Sequence, residues 1–337
     1  MKLMSPDSAH EKALFEAKPL LAFDISKDFE VQREILGKKF LELLGEMPKK
    51  TELNVRIDFE KEYEEFSEKR ILFDTEKDVT AVCHLWVPKT GKEKYPLVVC
   101  LQGHSTGMHI SMGRPIYKDD ENKINNGDRN FAVQAIKEGY AALILEQRGF
   151  GERRTDRMDG DGPRCHITAM TALLLGRTMI GERIWDVSRA LDVVSQFDNI
   201  DMDKVACMGN SGGGTTTFYA ACYDSRIKIA MPSCSVCTYK DSIATIRHCV
   251  CNFIPGSAKY FDMSDLAELI VPRKLIVVAG KLDNIFPEGG VLEAYENISN
   301  IYRAAGCEDN CRIVWGSEGH RFYAEPSWRV FRSLSNW

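Results

Sequence analysis

The sequence predicts an α/β fold, in which a doubly wound, mostly parallel sheet follows a short antiparallel lead-in. Two observations support this prediction. From residue 97 onward, continuous apolar runs alternate with helical segments, and such runs are typical of parallel strands buried on both faces. Before them, residues 79–87 place an apolar side chain at every second position, which is typical of a half-buried strand in an antiparallel sheet.

The spacing of apolar residues places the elements in chain order. Residues 11–47 are expected to form two helical pieces, of which the second is ended by Pro48 because proline cannot continue a helix. Strands are predicted at 53–59, 67–73, 79–87, 97–101, 141–145, 205–208, 227–231, 275–279 and 312–315, and later helices at 131–138, 179–197, 215–222 and 291–305.

The domain organisation follows from these elements. We expect one α/β domain over residues 51–337, preceded by an N-terminal helical extension over residues 1–50. Two excursions, at 149–178 and 239–266, interrupt the alternation of strands and helices. Segments of this length in a compact domain usually form lids or substrate-binding surfaces, and they could equally form the contact surface of a homo-oligomer.

Composition excludes several function classes. The chain has 337 residues and a net charge of −5, which argues against nucleic-acid binding by bulk charge. No apolar run approaches the roughly 20 residues that span a bilayer, and the charged N-terminus lacks the apolar core of a signal peptide. The glycine run 212–214 is not followed by the lysine of a phosphate-binding loop. We therefore expect a cytoplasmic protein with no nucleotide, nucleic-acid or membrane partner.

The eleven cysteines are expected to be reduced, since their number is odd and several lie inside apolar strands or helices. One group raises the question of zinc: Cys234 and Cys237 form a C-x-x-C pair, and Cys249 and Cys251 follow His248. The second half has C-x-C spacing and does not repeat the usual C-x-x-C knuckle. We therefore interpret these residues as packed thiols near the floor of the active site and predict no metal.

Ser211 is the candidate nucleophile. It stands between an apolar strand and a helical pattern, in the run Gly-Asn-Ser-Gly-Gly, which is typical of a nucleophile elbow. Gly209 and Gly213 leave room for the helix to lie close to the strand. The geometry also brings the backbone N–H of Gly212 to a helix N-terminus, where a developing negative charge is stabilised.

A serine hydroxyl needs a base, and the base needs an acid that orients it. Asp283 follows the strand at 275–279 and His320 follows the last strand, so both lie at the carboxyl ends of strands, where ligands of open α/β sheets bind. Glu288 and Glu318 are the rival acids; the first is expected to begin a helix and the second is too near His320 in sequence. The remaining histidines lie before the core, in the lead-in strand, in the excursions or in the loop after residue 101: His10, His84, His104, His109, His166 and His248.

The loop after residue 101 is expected to supply the second half of an oxyanion hole. Its sequence is Gln-Gly-His-Ser-Thr-Gly over 102–107. The backbone N–H of His104 is the predicted donor, paired with the N–H of Gly212. The His104 side chain could also contact the substrate.

Together these motifs make the chain similar to the acetyl xylan esterase and cephalosporin-C deacetylase-like branch of the α/β-hydrolases. The resemblance rests on residues 101–104, 146–151 and 209–213, the Asp283 loop and His320, and it covers about residue 70 to the C-terminus. The chain order serine, acid, histidine is that of the superfamily. Two residues depart from the branch, which usually has His where this chain has Gln102 and Asp where it has Glu146.

The predicted function is that of a serine-dependent carboxylic ester hydrolase, with no cofactor, acting on acetyl or other short acyl groups of a carbohydrate or small-molecule ester. The same Ser211, Asp283 and His320 would also serve an acyl-peptide or amide hydrolase, or a lactone hydrolase. A hydrolase fold retained as a binding protein is the alternative outside enzymes, but it would usually lack one of these three residues, and none is missing here.

Overall fold

The computed structural model describes residues 5–155 and 162–337. A nine-stranded sheet with the order β1-β2-β3-β5-β4-β6-β7-β8-β9 forms its centre. The strands are β1 (Arg56–Glu62), β2 (Phe66–Glu76), β3 (Val79–Pro88), β4 (Tyr95–Leu101), β5 (Ala141–Leu145), β6 (Ile200–Asn210), β7 (Ile227–Ser233), β8 (Lys274–Gly280) and β9 (Cys311–Gly316).

The helices cover both faces of this sheet. They are α1 (Pro6–Phe15), α2 (Phe29–Leu44), α3 (Asp120–Asn125), α4 (Phe131–Lys137), α5 (Cys165–Leu174), α6 (Met179–Val194), α7 (Gly212–Tyr223), α8 (Glu288–Ala304) and α9 (Ala324–Ser335). Short 3₁₀ helices occur at Met108–Ile110, Gly151–Arg153, Val250–Asn252, Ser257–Lys259, Met263–Leu269 and Glu308–Asn310. No helix in the described part of the chain is long and apolar enough to cross a bilayer.

Strand pairing confirms the predicted sheet. β1, β2 and β3 pair antiparallel, and β3 joins the remaining strands by pairing antiparallel with β5. All pairings from β5 through β9 are parallel. The chain runs from β4 to β5 on one side and then returns to β6 on the other side of β4. This reversal creates a crevice at the carboxyl ends of β4 and β6, which is where open α/β sheets bind ligands.

Two apolar cores lie on opposite faces of the sheet because side chains alternate along each strand. In β4, Leu97, Val99 and Leu101 enter one core, with α2, α6, α7 and α8. Val98 and Cys100 enter the other core, with α4 and α9. The central strands β4 and β5 are therefore buried on both faces along their whole length, as the continuous apolar runs predict, whereas the edge strand β1 is exposed.

Three local predictions differ from the structure. Strand β3 is buried on both faces from Ala81 to Pro88, because it lies inside the sheet and α4 covers its second face. Helix α2 ends at Leu44, before Pro48, since Gly45 takes a positive φ of 82° and terminates it there. Helices α3, α5 and α9 were not predicted, and α5 lies within the 149–178 excursion, of which residues 156–161 are outside the described residues.

Candidate active site

Ser211 lies on the turn between β6 and α7, as its sequence context predicts. Its φ of 57° and ψ of −126° are unusual for a residue with a side chain, and such strain is commonly found at functional sites. The turn is held from β7, since the Ser211 N–H donates to the Ser233 carbonyl at 2.8 Å. A Cβ on Gly213 would lie 2.2 Å from the Leu101 carbonyl oxygen, so only glycine allows this approach of helix to strand.

Asp283 and His320 meet at the carboxyl ends of β8 and β9. His320 Nδ1 and Asp283 Oδ2 are 2.8 Å apart, and the carboxylate also accepts hydrogen bonds from the N–H groups of Ile285 and Phe286. Burial opposes the charge of Asp283, but the hydrogen bond and charge of His320 prevail and hold its pKa below the usual value. Asp283 is thus fixed as an anion against one nitrogen of the imidazole, which defines the tautomer.

The rival acids do not contact His320. Glu318 pairs with Arg321 at 3.0 Å, and Glu288 is the first residue of α8, as expected. Of the three carboxylates that sequence position allowed, Asp283 is the one within hydrogen-bond distance of the imidazole.

Ser233 links the elbow to the loop that carries His320. Its carbonyl accepts the Ser211 N–H, and its hydroxyl lies 3.5 Å from the carbonyl oxygen of Arg321, the residue after His320. Among residues 5–155 and 162–337, no hydrogen bond joins the Ser211 hydroxyl to His320. The contact between these two side chains therefore stays a prediction. Catalytic hydrogen bonds are often long without substrate and tighten only when substrate binds.

The loop after β4 lies directly on the elbow. A Cβ on Gly103 would lie 2.4 Å from the Asn210 carbonyl oxygen and 2.9 Å from Ser211 Cβ. A Cβ on Gly212 would lie 3.0 Å from His104 Nδ1. The two predicted oxyanion donors, the N–H groups of His104 and Gly212, therefore belong to backbone segments in mutual contact.

Two glutamines, Gln102 and Gln147, brace this loop. Gln102 is one of the two residues at which the chain departs from the related branch. Gln102 Nε2 donates at 2.7 Å to both the Ser111 hydroxyl and the Arg129 carbonyl. Gln147 Nε2 donates to the Gln102 carbonyl, while its Oε1 accepts the Thr216 hydroxyl of α7 at 2.6 Å. The loop is thereby joined to the elbow helix through side-chain amides.

Glu146 is the second departure, and it lies fully buried behind the same loop. Its carboxyl accepts the Met108 N–H at 3.1 Å and the Glu152 N–H at 3.4 Å. Burial dominates these hydrogen bonds and raises the pKa of Glu146 to about 7. The carboxyl that braces the oxyanion loop therefore titrates near neutral pH.

Replacing Glu146 with glutamine is expected to flatten the dependence of stability on pH. Because the folded pKa of about 7 exceeds the ordinary value of 4.5, the stabilisation is complete below pH 4.5 and is lost as the pH rises through 7. Between pH 4.5 and pH 7, the wild type should therefore lose up to about 3 kcal/mol of unfolding free energy that Glu146→Gln does not lose. Urea denaturation at pH 5 and pH 8 measures this difference, and Glu296→Gln, at an exposed position, is the control. Equal changes in unfolding free energy for the wild type and Glu146→Gln between the two pH values would refute the prediction.

A row of rings crosses the mouth of the site. Ring centroids are 6.4 Å apart for His104 and His248, 6.0 Å for His248 and Phe286, and 5.8 Å for Phe286 and His320, which stack nearly parallel. Burial lowers the pKa of His248. The 239–266 excursion thus brings a further imidazole between His104 and His320. In the sequence, His248 stood out only through the cysteines that follow it, and no signal placed it near His320.

The cysteines do not group as their sequence spacing suggested. Cys234 and Cys237 pack with Phe286 and Val291 beside the Asp283 loop, and the Cys234 thiol lies 3.2 Å from the Arg321 carbonyl. Cys249 and Cys251 instead join Cys165 and His104 on the other side of the site. The Cys234 sulfur also lies within 4.8 Å of ligand atoms of Asp283 and His320. Those two side chains are hydrogen-bonded to each other, so we assign no metal to this group.

The sheet order, the strained serine between β6 and α7, and the Asp–His pair after β8 and β9 are those of an α/β-hydrolase. Residues 38–248 match the family model described as acetyl xylan esterase (AXE1). This match covers more than half of the chain, so the protein belongs to the acetyl xylan esterase family and is a carboxylic ester hydrolase. Its substrates are small-molecule or carbohydrate esters.

Individual relatives agree with this assignment. YtaP of Bacillus subtilis (strain 168) is 27% identical over 303 residues, which cover 89% of this chain and 98% of YtaP. A Bacteroides fragilis NCTC 9343 protein assigned to the acetyl xylan esterases superposes with a TM-score of 0.77 at 16% identity, over 99% of this chain and 90% of that one. Acetyl xylan esterase 1 from Thermoanaerobacterium sp. JW/SL YS485 gives a TM-score of 0.62 at 18% identity, over 96% and 97%. At these identities the solved structures establish the fold.

Proposed function

We propose that the protein hydrolyses short acyl esters of carbohydrates by a serine mechanism. The 2.8 Å contact between His320 Nδ1 and Asp283 Oδ2 is the observation that carries this proposal. It leaves His320 Nε2 free to act as the base for Ser211, since Nδ1 is committed to the carboxylate.

The reaction runs in two halves. The Ser211 hydroxyl oxygen attacks the acyl carbon while His320 takes its proton, and the N–H groups of His104 and Gly212 stabilise the resulting oxyanion. Collapse of this intermediate breaks the ester bond, and His320 gives the proton to the leaving alcohol. Water, deprotonated by His320, then attacks the acyl-serine; the bond between the acyl carbon and the Ser211 oxygen breaks, His320 returns the proton to that oxygen, and the carboxylic acid is released.

We propose a short acyl group because the family model that this chain matches is that of the acetyl xylan esterases. The ring row of His104, His248 and Phe286 offers polar edges and flat faces, which suits a sugar alcohol.

We further propose a single domain over residues 51–337, preceded by the extension 1–50. The described parts of the two excursions, 149–155, 162–178 and 239–266, would form walls of its substrate site. Cys165 of the first excursion and His248 of the second both lie near His104. A homo-oligomeric contact through the same segments is the alternative.

A substrate panel tests the proposal. The purified protein is assayed with p-nitrophenyl esters from acetyl to octanoyl, with acetylated xylo-oligosaccharides, with a methyl ester of glucuronic acid and with an acyl-peptide anilide. We expect kcat/KM to be highest for acetyl and to fall by about tenfold or more on lengthening to butyryl, since misfit methylenes cost 1–3 kcal/mol. A preference for octanoyl, for the anilide or for the glucuronate ester would contradict it.

A further inference from the structure

Four soft metal-ligating side chains converge beside the oxyanion loop. They are His104 from that loop, Cys165 at the start of α5, and Cys249 and Cys251 from the second excursion. Their ligand atoms all lie within 4.8 Å of one another. The Cys165 and Cys249 sulfurs are 3.3 Å apart, and the Cys251 sulfur is 3.2 Å from His104 Nε2.

We propose that these four residues bind a zinc ion. Three cysteine sulfurs and one imidazole nitrogen form one of the donor sets of structural zinc sites, and thiolates disfavour magnesium and calcium. With Zn–S near 2.3 Å and Zn–N near 2.0–2.1 Å, a tetrahedral site needs ligand atoms about 3.5–3.8 Å apart. These two pairs need to separate by only a few tenths of an ångström, and no pair of ligand atoms is more than 4.8 Å apart. A Cys165–Cys249 disulfide, in contrast, needs its sulfurs to approach to about 2.05 Å.

The charge of the surroundings fits this site. Zinc with three thiolates carries one negative charge, which is costly to bury without a partner. Arg183 is buried, lies 3.4 Å from the Cys251 sulfur through one guanidinium nitrogen, and covers the Phe150 ring at 4.4 Å. In the described ranges, no carboxylate forms an ion pair with Arg183, so its charge is available to balance the site.

The site is also accessible from outside. Cys249 and His104 are half-buried, and both line a surface depression of about 490 Å³ together with His166 and His248. An ion can therefore reach the thiols without unfolding of the sheet, which is a requirement for a metal site.

The ion would connect three segments that are far apart in sequence. With four protein ligands, the site is closed to substrate and its role is structural. It would hold the two excursions against His104, whose N–H is the proposed oxyanion donor. This consequence for catalysis rests on the proposed function, whereas zinc binding itself does not.

Metal analysis of the intact protein tests the proposal. We expect protein produced in zinc-supplemented medium and purified without chelator to contain one zinc per chain by inductively coupled plasma mass spectrometry. Cys165→Ser and Cys249→Ser should lose most of it. Cys237→Ser, in the C-x-x-C pair outside the site, should retain it. A wild-type protein that contains no zinc and takes up none on dialysis would overturn the proposal.

Two further measurements test for the metal without relying on the folding of the cysteine variants or on catalytic activity. Replacement by cobalt should give thiolate-to-metal charge-transfer absorption in the wild type and in Cys237→Ser. Intact mass under non-reducing conditions should show free thiols after chelation; a Cys165–Cys249 disulfide in freshly purified protein would refute zinc in favour of a redox pair. Fluorophosphonate labelling of Ser211 reports the proposed hydrolase separately, so that either proposal can fail alone.

Discussion

Replacing Ser211 with alanine is expected to abolish ester hydrolysis, with a loss in kcat of about 10⁶-fold, the size seen when the nucleophile of a serine hydrolase is removed. Ser211 lies on the strained turn between β6 and α7, with Gly103 of the oxyanion loop packed against its Cβ. Alanine keeps the Cβ, so the elbow should fold unchanged while the attacking oxygen is absent.

The measurement is hydrolysis of p-nitrophenyl acetate, together with labelling by a fluorophosphonate probe. The exposed serine Ser225 gives the control, since Ser225→Ala should hydrolyse the ester and be labelled like the wild type. Full labelling of Ser211→Ala would assign the nucleophile to another residue. An unchanged melting temperature would show that the loss is chemical.

Replacing Asp283 with asparagine is expected to lower kcat by about 10⁴-fold with little change in KM. The Asp283 carboxylate accepts from His320 Nδ1 at 2.8 Å, and its other oxygen is held by the N–H groups of Ile285 and Phe286. An amide in this place can donate to Nδ1, which favours the wrong imidazole tautomer and removes the charge that stabilises the imidazolium.

Steady-state kinetics on p-nitrophenyl acetate measures this effect. Glu318→Gln and Glu288→Gln are matched controls, since one carboxylate pairs with Arg321 and the other begins α8. Both should stay within a few-fold of the wild type. A loss in Glu318→Gln as large as in Asp283→Asn would show that the acid was misassigned.

Much of the fold was predictable because the central parallel strands, such as β4 and β5, are buried on both faces and are therefore apolar runs in the sequence. The glycines around Ser211 were equally informative, since the approach of α7 to β4 leaves no room for a Cβ at Gly213. Helix α9 was missed although Trp328, Phe331 and Leu334 recur at helical spacing, and it packs Trp328 and Phe331 into the core. Strand β3 was misjudged because alternation along one strand does not reveal that α4 covers its second face, on which Val82 and Trp86 are buried.

The sequence by itself determined the parallel sheet and the candidates for the nucleophile, the acid and the base, since each depends on residues close together in the chain or on their order along it. Only the tertiary structure decided which acid bonds to His320, that Glu146 is buried behind the oxyanion loop, and that His248 reaches the site. The same holds for the meeting of His104 with Cys165, Cys249 and Cys251, which sequence spacing had grouped differently. These contacts join residues far apart in the chain. Those of His248 and the cysteines depend on packing of the excursions against the β4 loop, and such packing produces no local pattern in the sequence.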